Sequence, residues 1–102
     1  MAQYVKAIAS AEVGSGQGKL VELQGRKIAV FNVGGSYYAI DDTCTHRGGP
    51  LSEGECEGHE VTCPLHGAIF DVRTGEVVGG PAPTKVASYP VRLSGADVEI
   101  EL

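Results

Sequence analysis

The sequence predicts an all-β fold, and three observations carry that prediction. Apolar residues recur in short runs of period two, the spacing of a half-buried strand, and not at the three- and four-residue intervals of an amphipathic helix. Among the 102 residues are 15 glycines and 5 prolines, which cut these runs into short segments. No repeat, low-complexity tract or proline-rich linker separates one part of the chain from another, so residues 1–102 are expected to form one domain of short antiparallel strands in stacked sheets.

The first strand is expected at Tyr4 to Ile8, followed by one helical turn over Ala9 to Val13 with Ser10 as its cap. Lys19 to Leu23 and Lys27 to Val33 are the next strands. Gly34-Gly35 then divides KIAVFNV from SYYAI and predicts a tight hairpin into Ser36 to Ile40, because both central positions of such a turn favour positive φ. Later strands are expected at Glu60 to Thr62, Ala68 to Asp71, Val86 to Val91 and Asp97 to Leu102, with hairpin ends at Arg73-Thr74-Gly75 and Ser94-Gly95. Thr43 to Gly58 and Cys63 to Gly67 break the strand pattern, and Gly79 to Pro83 reads as a stiff loop. Loops carried on a rigid β scaffold are where sites concentrate.

Composition narrows the function. Eight Lys and Arg against 13 Asp and Glu give a formal net charge of −5, with the basic residues scattered, so nucleic acid is not an expected partner. A protein partner with a basic patch is compatible with that balance. No apolar run is long enough to cross a bilayer and no leader-like segment opens the chain, which predicts a cytoplasmic protein without a membrane association. Three cysteines are too few for a disulfide framework, so metal or redox chemistry is the expected use of the thiols. A chain this short also has a thin core and would profit from an additional staple.

Two of the three cysteines and two of the three histidines fall into close-spaced couples: Cys44-Thr45-His46 and Cys63-Pro64-Leu65-His66, with sixteen residues between His46 and Cys63. Each couple follows a predicted strand, so two loops could face each other and offer four ligands. Two thiolates with two imidazoles suit a tetrahedral zinc ion. They also suit a [2Fe–2S] centre with two thiolates on one iron and two imidazoles on the other. Zinc modules usually pair like ligands at wider spacing and place their histidines on a helix; here each loop mixes one of each and no helix follows, which favours the cluster.

CTHRGGPLSEG and CPLHGAIFDVRTGEVVGGPAP resemble the two cluster loops and the following proline loop of Rieske [2Fe–2S] proteins. The whole chain resembles the small Rieske ferredoxins that feed bacterial ring-hydroxylating dioxygenases. That resemblance implies a Rieske-type fold with one [2Fe–2S] cluster per chain, Cys44 and Cys63 on the inner iron, and His46 and His66 on the outer iron through Nδ1. It further implies a one-electron carrier for aromatic hydrocarbon catabolism, itself not an enzyme. Such a carrier is expected to be a monomer, taking electrons from a NAD(P)H-dependent flavin reductase and passing them to a terminal oxygenase. Gly48, Gly49 and Gly67 would let backbone amides approach the sulfides. Pro50 and Pro64 would stiffen the loops, while Pro81 and Pro83 would cover the cluster from a third side. Docking is expected around the two imidazoles, with apolar contact from Pro50, Leu51, Leu65 and the Gly79 to Pro83 loop.

The departures from the family's respiratory branch are informative. That branch bridges its two loops with a disulfide, and the matching residues here are Gly49 and Leu65. It also aims a serine and a tyrosine hydroxyl at the cluster sulfurs, and here Ala68 and Phe70 stand in those places. Loss of those donors disfavours the reduced, more negative centre, predicting a potential of roughly −150 mV rather than the upper end of the Rieske range.

Three other readings remain. A terminal oxygenase would need a separate iron with two histidines and a carboxylate, and only His59 is left for it. The Rieske-like small subunit of assimilatory nitrite reductase is an alternative, although that family often lacks ligands that are all present here. A zinc-stabilised interaction domain is the third. Cys56 and His59, in ECEGHE, read as spectators in a polar turn, and Asp41 and Asp42 as caps of the strand-to-loop turn.

Overall fold

The computed structural model describes residues 3–44, 49–65, 67–80 and 84–102. Eleven strands are described, all paired antiparallel: β1 (Tyr4–Ala9), β2 (Gly18–Leu23), β3 (Arg26–Val33), β4 (Ser36–Asp41), β5 (Glu55–Glu57), β6 (Glu60–Thr62), β7 (Ile69–Asp71), β8 (Val77–Gly79), β9 (Ser88–Tyr89), β10 (Val91–Ser94) and β11 (Asp97–Glu101). They make three sheets, in the orders β1-β11-β10, β2-β3-β4-β9 and β5-β6-β7-β8.

Strand β3 explains how the sheets stack. Its residues Ile28 and Val30 pack into one core with Val21, Ala39, Val98 and Ile100. The alternate residues Ala29 and Phe31 pack into another with Ile40, Leu51, Val61, Phe70 and both Cys44 and Cys63. Successive side chains of a strand point to opposite faces, so the β2-β3-β4-β9 sheet is the layer shared by two cores. One core faces the chain-terminal sheet and the other faces the β5–β8 sheet.

The long hairpin forms as the sequence predicts: Gly34 and Gly35 both have positive φ, at 59° and 94°, and Val33 pairs with Ser36. Three expectations are corrected. The turn after β1 is a short 3-10 turn at Ser10–Glu12, capped by Ala9 with no side-chain bond, so Ser10 is not its cap. The strand expected at Val86 to Val91 is two strands divided at Pro90, which has no N–H to give a ladder; Val86 is buried outside both. The stretch Thr43 to Gly58 also holds a 3-10 turn at Leu51–Glu53 and the strand β5, while β8 lies beyond the Gly75 turn.

Candidate metal centre

Cys44 follows the end of β4 and Cys63 the end of β6, so inner strands of two different sheets deliver the two cysteines to one place. Both thiols are buried, unbridged and part of one apolar core. They lie within hydrogen-bonding reach of each other. Burial pushes the Cys63 thiol up from its ordinary value, the backbone N–H of Leu65 pulls it down, and the neighbouring Cys44 raises it again. Burial and the neighbouring thiol disfavour a thiolate at Cys63 unless a cation compensates it, and metal coordination supplies that cation. This donor pair therefore fits the sulfur half of a two-thiolate, two-imidazole centre.

His46 and His66, the expected imidazole half, lie outside the described residues, as do Gly48, Pro81 and Pro83. The roots of the two loops are described. Across the root of the first loop Thr43 bridges Pro50, and the Cys44 amide donates to the Gly49 carbonyl at 2.9 Å. At the second, the Cys63 amide donates to the Ala68 carbonyl at 2.7 Å. Each bond closes the root of a loop that opens at a cysteine.

Gly49 joins the two loops. A Cβ there would stand 2.7 Å from the Cys63 sulfur and 3.3 Å from the Leu65 Cβ. Positions 49 and 65 thus face each other as the matched disulfide positions should, with apolar contact in place of a bond. Ala68 and Phe70 are both fully buried, and neither carries a hydroxyl. Gly67 has φ +74° with open space at its missing Cβ, so its glycine is explained by backbone conformation. Gly80, at φ +81°, is pressed onto the second loop: a Cβ would lie 2.7 Å from the Ala68 Cα and 2.8 Å from the Gly67 carbonyl oxygen. That contact seats the start of the Gly79 to Pro83 segment beside the centre.

Two leftover residues are placed elsewhere. Cys56 is in β5, not in a turn, and its half-buried side chain packs against the core that holds the two thiols. Burial pushes its thiol up, and its sulfur donates weakly to the Gly58 carbonyl at 3.7 Å. His59 stands edge-on to Tyr38, with ring centroids 5.7 Å apart. Leu51 is corrected: it is fully buried and cannot offer a docking contact, whereas Leu65 is 45% exposed. Sequence reasoning did not assign the contacts of Gly54 and Gly80, whose partners lie on other strands and loops. The only local signal was glycine itself beside the couples.

The Rieske [2Fe-2S] domain model matches residues 3–90. The ferredoxin component of the naphthalene 1,2-dioxygenase system of Pseudomonas aeruginosa is 37% identical over 100 residues, covering 98% of this chain and 96% of that one. The ferredoxin of carbazole 1,9a-dioxygenase from Nocardioides aromaticivorans IC177 superposes with a TM-score of 0.91 at 29% identity, over 96% of each chain. A chain in the complex of reduced oxygenase and oxidised ferredoxin of carbazole 1,9a-dioxygenase superposes at 0.88 with 33% identity, covering 95% of this chain and 91% of that one. Among the described residues no helix is long and apolar enough to cross a membrane.

Proposed function

The chain belongs to the Rieske [2Fe-2S] domain family, and from that membership we propose that it is the ferredoxin component of an aromatic-ring dioxygenase system, a one-electron carrier and not itself a catalyst. One observation carries the reading: two buried, unbridged thiols from two loops meet in a chain that is similar to such ferredoxins over nearly its whole length.

Cys44 and Cys63 would hold one iron, and His46 and His66 the other. When bound, a [2Fe–2S] cluster supplies a one-electron change with no bond made or broken in a substrate. The protein's part is to hold the thiolates in a dry core and to set how readily added charge is accepted. The Leu65 amide pointed at the Cys63 sulfur favours negative charge there. Ala68 and Phe70 offer no hydroxyl donor beyond the backbone, which keeps the potential low.

Electrons would arrive from a flavin reductase and leave to a terminal oxygenase across the end of the molecule where Leu65 is exposed. We read the chain as one domain and a monomer, acting in the cytoplasm. Potentiometric titration tests the carrier role: a midpoint of roughly −150 mV suits a donor to an oxygenase, and one well above zero contradicts it. Replacing Leu65 with Glu should slow transfer to the oxygenase while leaving the cluster's visible absorption intact; an unchanged rate counts against that docking end.

A further inference from the structure

We propose that Asp42 is a positioning residue for the metal centre: through the turn at Leu51–Glu53, its carboxylate fixes the root of the first ligand loop against the root of the second. The proposal rests on the reading of Cys44 and Cys63 as ligands.

Asp42 is only 4% exposed, two residues before Cys44. A buried carboxylate is costly unless hydrogen bonds are built around it. Its Oδ1 accepts from the Ser52 amide at 2.7 Å, in buried surroundings. Its carbonyl accepts from the Leu51 amide at 2.7 Å, and its own amide donates to the Lys27 carbonyl on β3 at 3.0 Å. These bonds close the loop around Cys44 and anchor the closure on the central sheet.

From there the turn reaches the other loop. The Gly54 amide donates to the Leu51 carbonyl at 3.0 Å. A Cβ on Gly54 would overlap the carbonyl of Thr62, the residue before Cys63. Leu51 itself is fully buried in the core that contains both thiols. Asp42 at one end and Thr62 at the other are therefore joined by a strut that uses neither ligand. In the loaded protein that strut holds the roots of the two cysteine loops against each other.

Removing the carboxylate would leave the Ser52 amide buried without its acceptor and open the root of the first loop. Outer partners that orient a metal's ligands typically change metal retention 10–100-fold. The test uses the cluster-loaded protein and two variants, Asp42→Ala, which deletes the acceptor, and Asp42→Asn, which keeps an oxygen in its place. Loss of visible absorption in excess chelator, the EPR line shape after reduction and the thermal midpoint are read together.

The Ala variant should lose its cluster about tenfold faster or more and show a broadened signal. The Asn variant should retain both rate and line shape, even if the two variants share a lowered thermal midpoint. An Ala variant with unchanged rate and line shape overturns the proposal, as does an Asn variant that releases the cluster as fast as the Ala variant. Should Asp42→Ala give no folded protein, Gly54→Ala, which presses on Thr62 from the far end of the strut, replaces it. Faster release there with Asp42→Asn unaffected supports the strut, and the reverse overturns it. A starting protein that holds no iron–sulfur cluster would instead overturn the ligand reading.

Discussion

The two cores built on opposite faces of the central sheet are held by different means. The core on the side of the chain-terminal sheet joins strands of up to eight residues and is filled by Val, Ile and Ala. The other leans on strands of three residues, β5 to β8, and encloses two thiols. The charges differ as well. Residues 49–80 carry Glu53, Glu55, Glu57, Glu60, Asp71 and Glu76 against Arg73 as the only Lys or Arg. Glu57, Glu60 and Asp71 even stand opposite one another across three strands, where like charges weaken pairing. One half therefore has the ladder length and apolar packing to hold itself. The other needs the metal centre, because three-residue strands with an acidic face do not make an independently stable sheet.

The largest effect should come from Cys63→Ala. It should abolish the visible absorption of the cluster and, in hydrogen exchange, release residues 49–80 while β1, β3 and β11 remain protected. Exchange that rises equally throughout would break the contrast between the two halves. Ile28→Ala attacks the other core, where the side chain is fully buried. It should cost about 2–5 kcal/mol in denaturant unfolding of the loaded protein, with the EPR line shape unchanged below the transition.

How far the sequence carries depends on the range of the interaction. That Cys44 and Cys63 would come together from two loops was legible because the Cys and His spacing is local, and the structure brings the two thiols into one core. The Gly34-Gly35 hairpin was legible because two adjacent positive φ angles need glycine. Strand β5 was not, since Glu-Cys-Glu between glycines looks like a turn and becomes a strand only through its pairing with β6. Leu51 was misplaced for the same reason: nothing local says that its turn folds under the ligand loops. Asp42 was legible as a cap, but its partner Ser52 is ten residues away and the consequence for Cys63 passes through Gly54.

A smaller change is expected from Gly49→Ala. Its methyl would press on the Cys63 sulfur and Leu65, an overpacking that typically costs about 1–3 kcal/mol. Cluster release in chelator should accelerate while the thermal behaviour of the apolar core beyond β3 is preserved. Unchanged release would show that the loops can part without strain.

The smallest effect belongs to the surface pair Asp71–Arg73, joined at 2.9 Å. The Arg73 guanidinium holds the Asp71 carboxyl below its ordinary value of 3.8. A depressed carboxyl stabilises the fold above its unfolded value, and that contribution is lost as pH falls through the lowered folded value. Arg73→Gln should move the Asp71 titration upward, as followed by NMR of its carboxyl carbon, and make the protein slightly more sensitive to acid. An unmoved titration would show that the pair is not formed in solution.

We propose that two thiolates and two imidazoles hold the [2Fe–2S] cluster of this chain. EPR of the reduced protein, with nuclear hyperfine spectroscopy after labelling histidine with nitrogen-15, tests it most directly. Couplings from two imidazole nitrogens on one reduced cluster are predicted. A cluster signal without histidine nitrogen coupling, or a colourless protein that holds zinc and gives no signal, would contradict it.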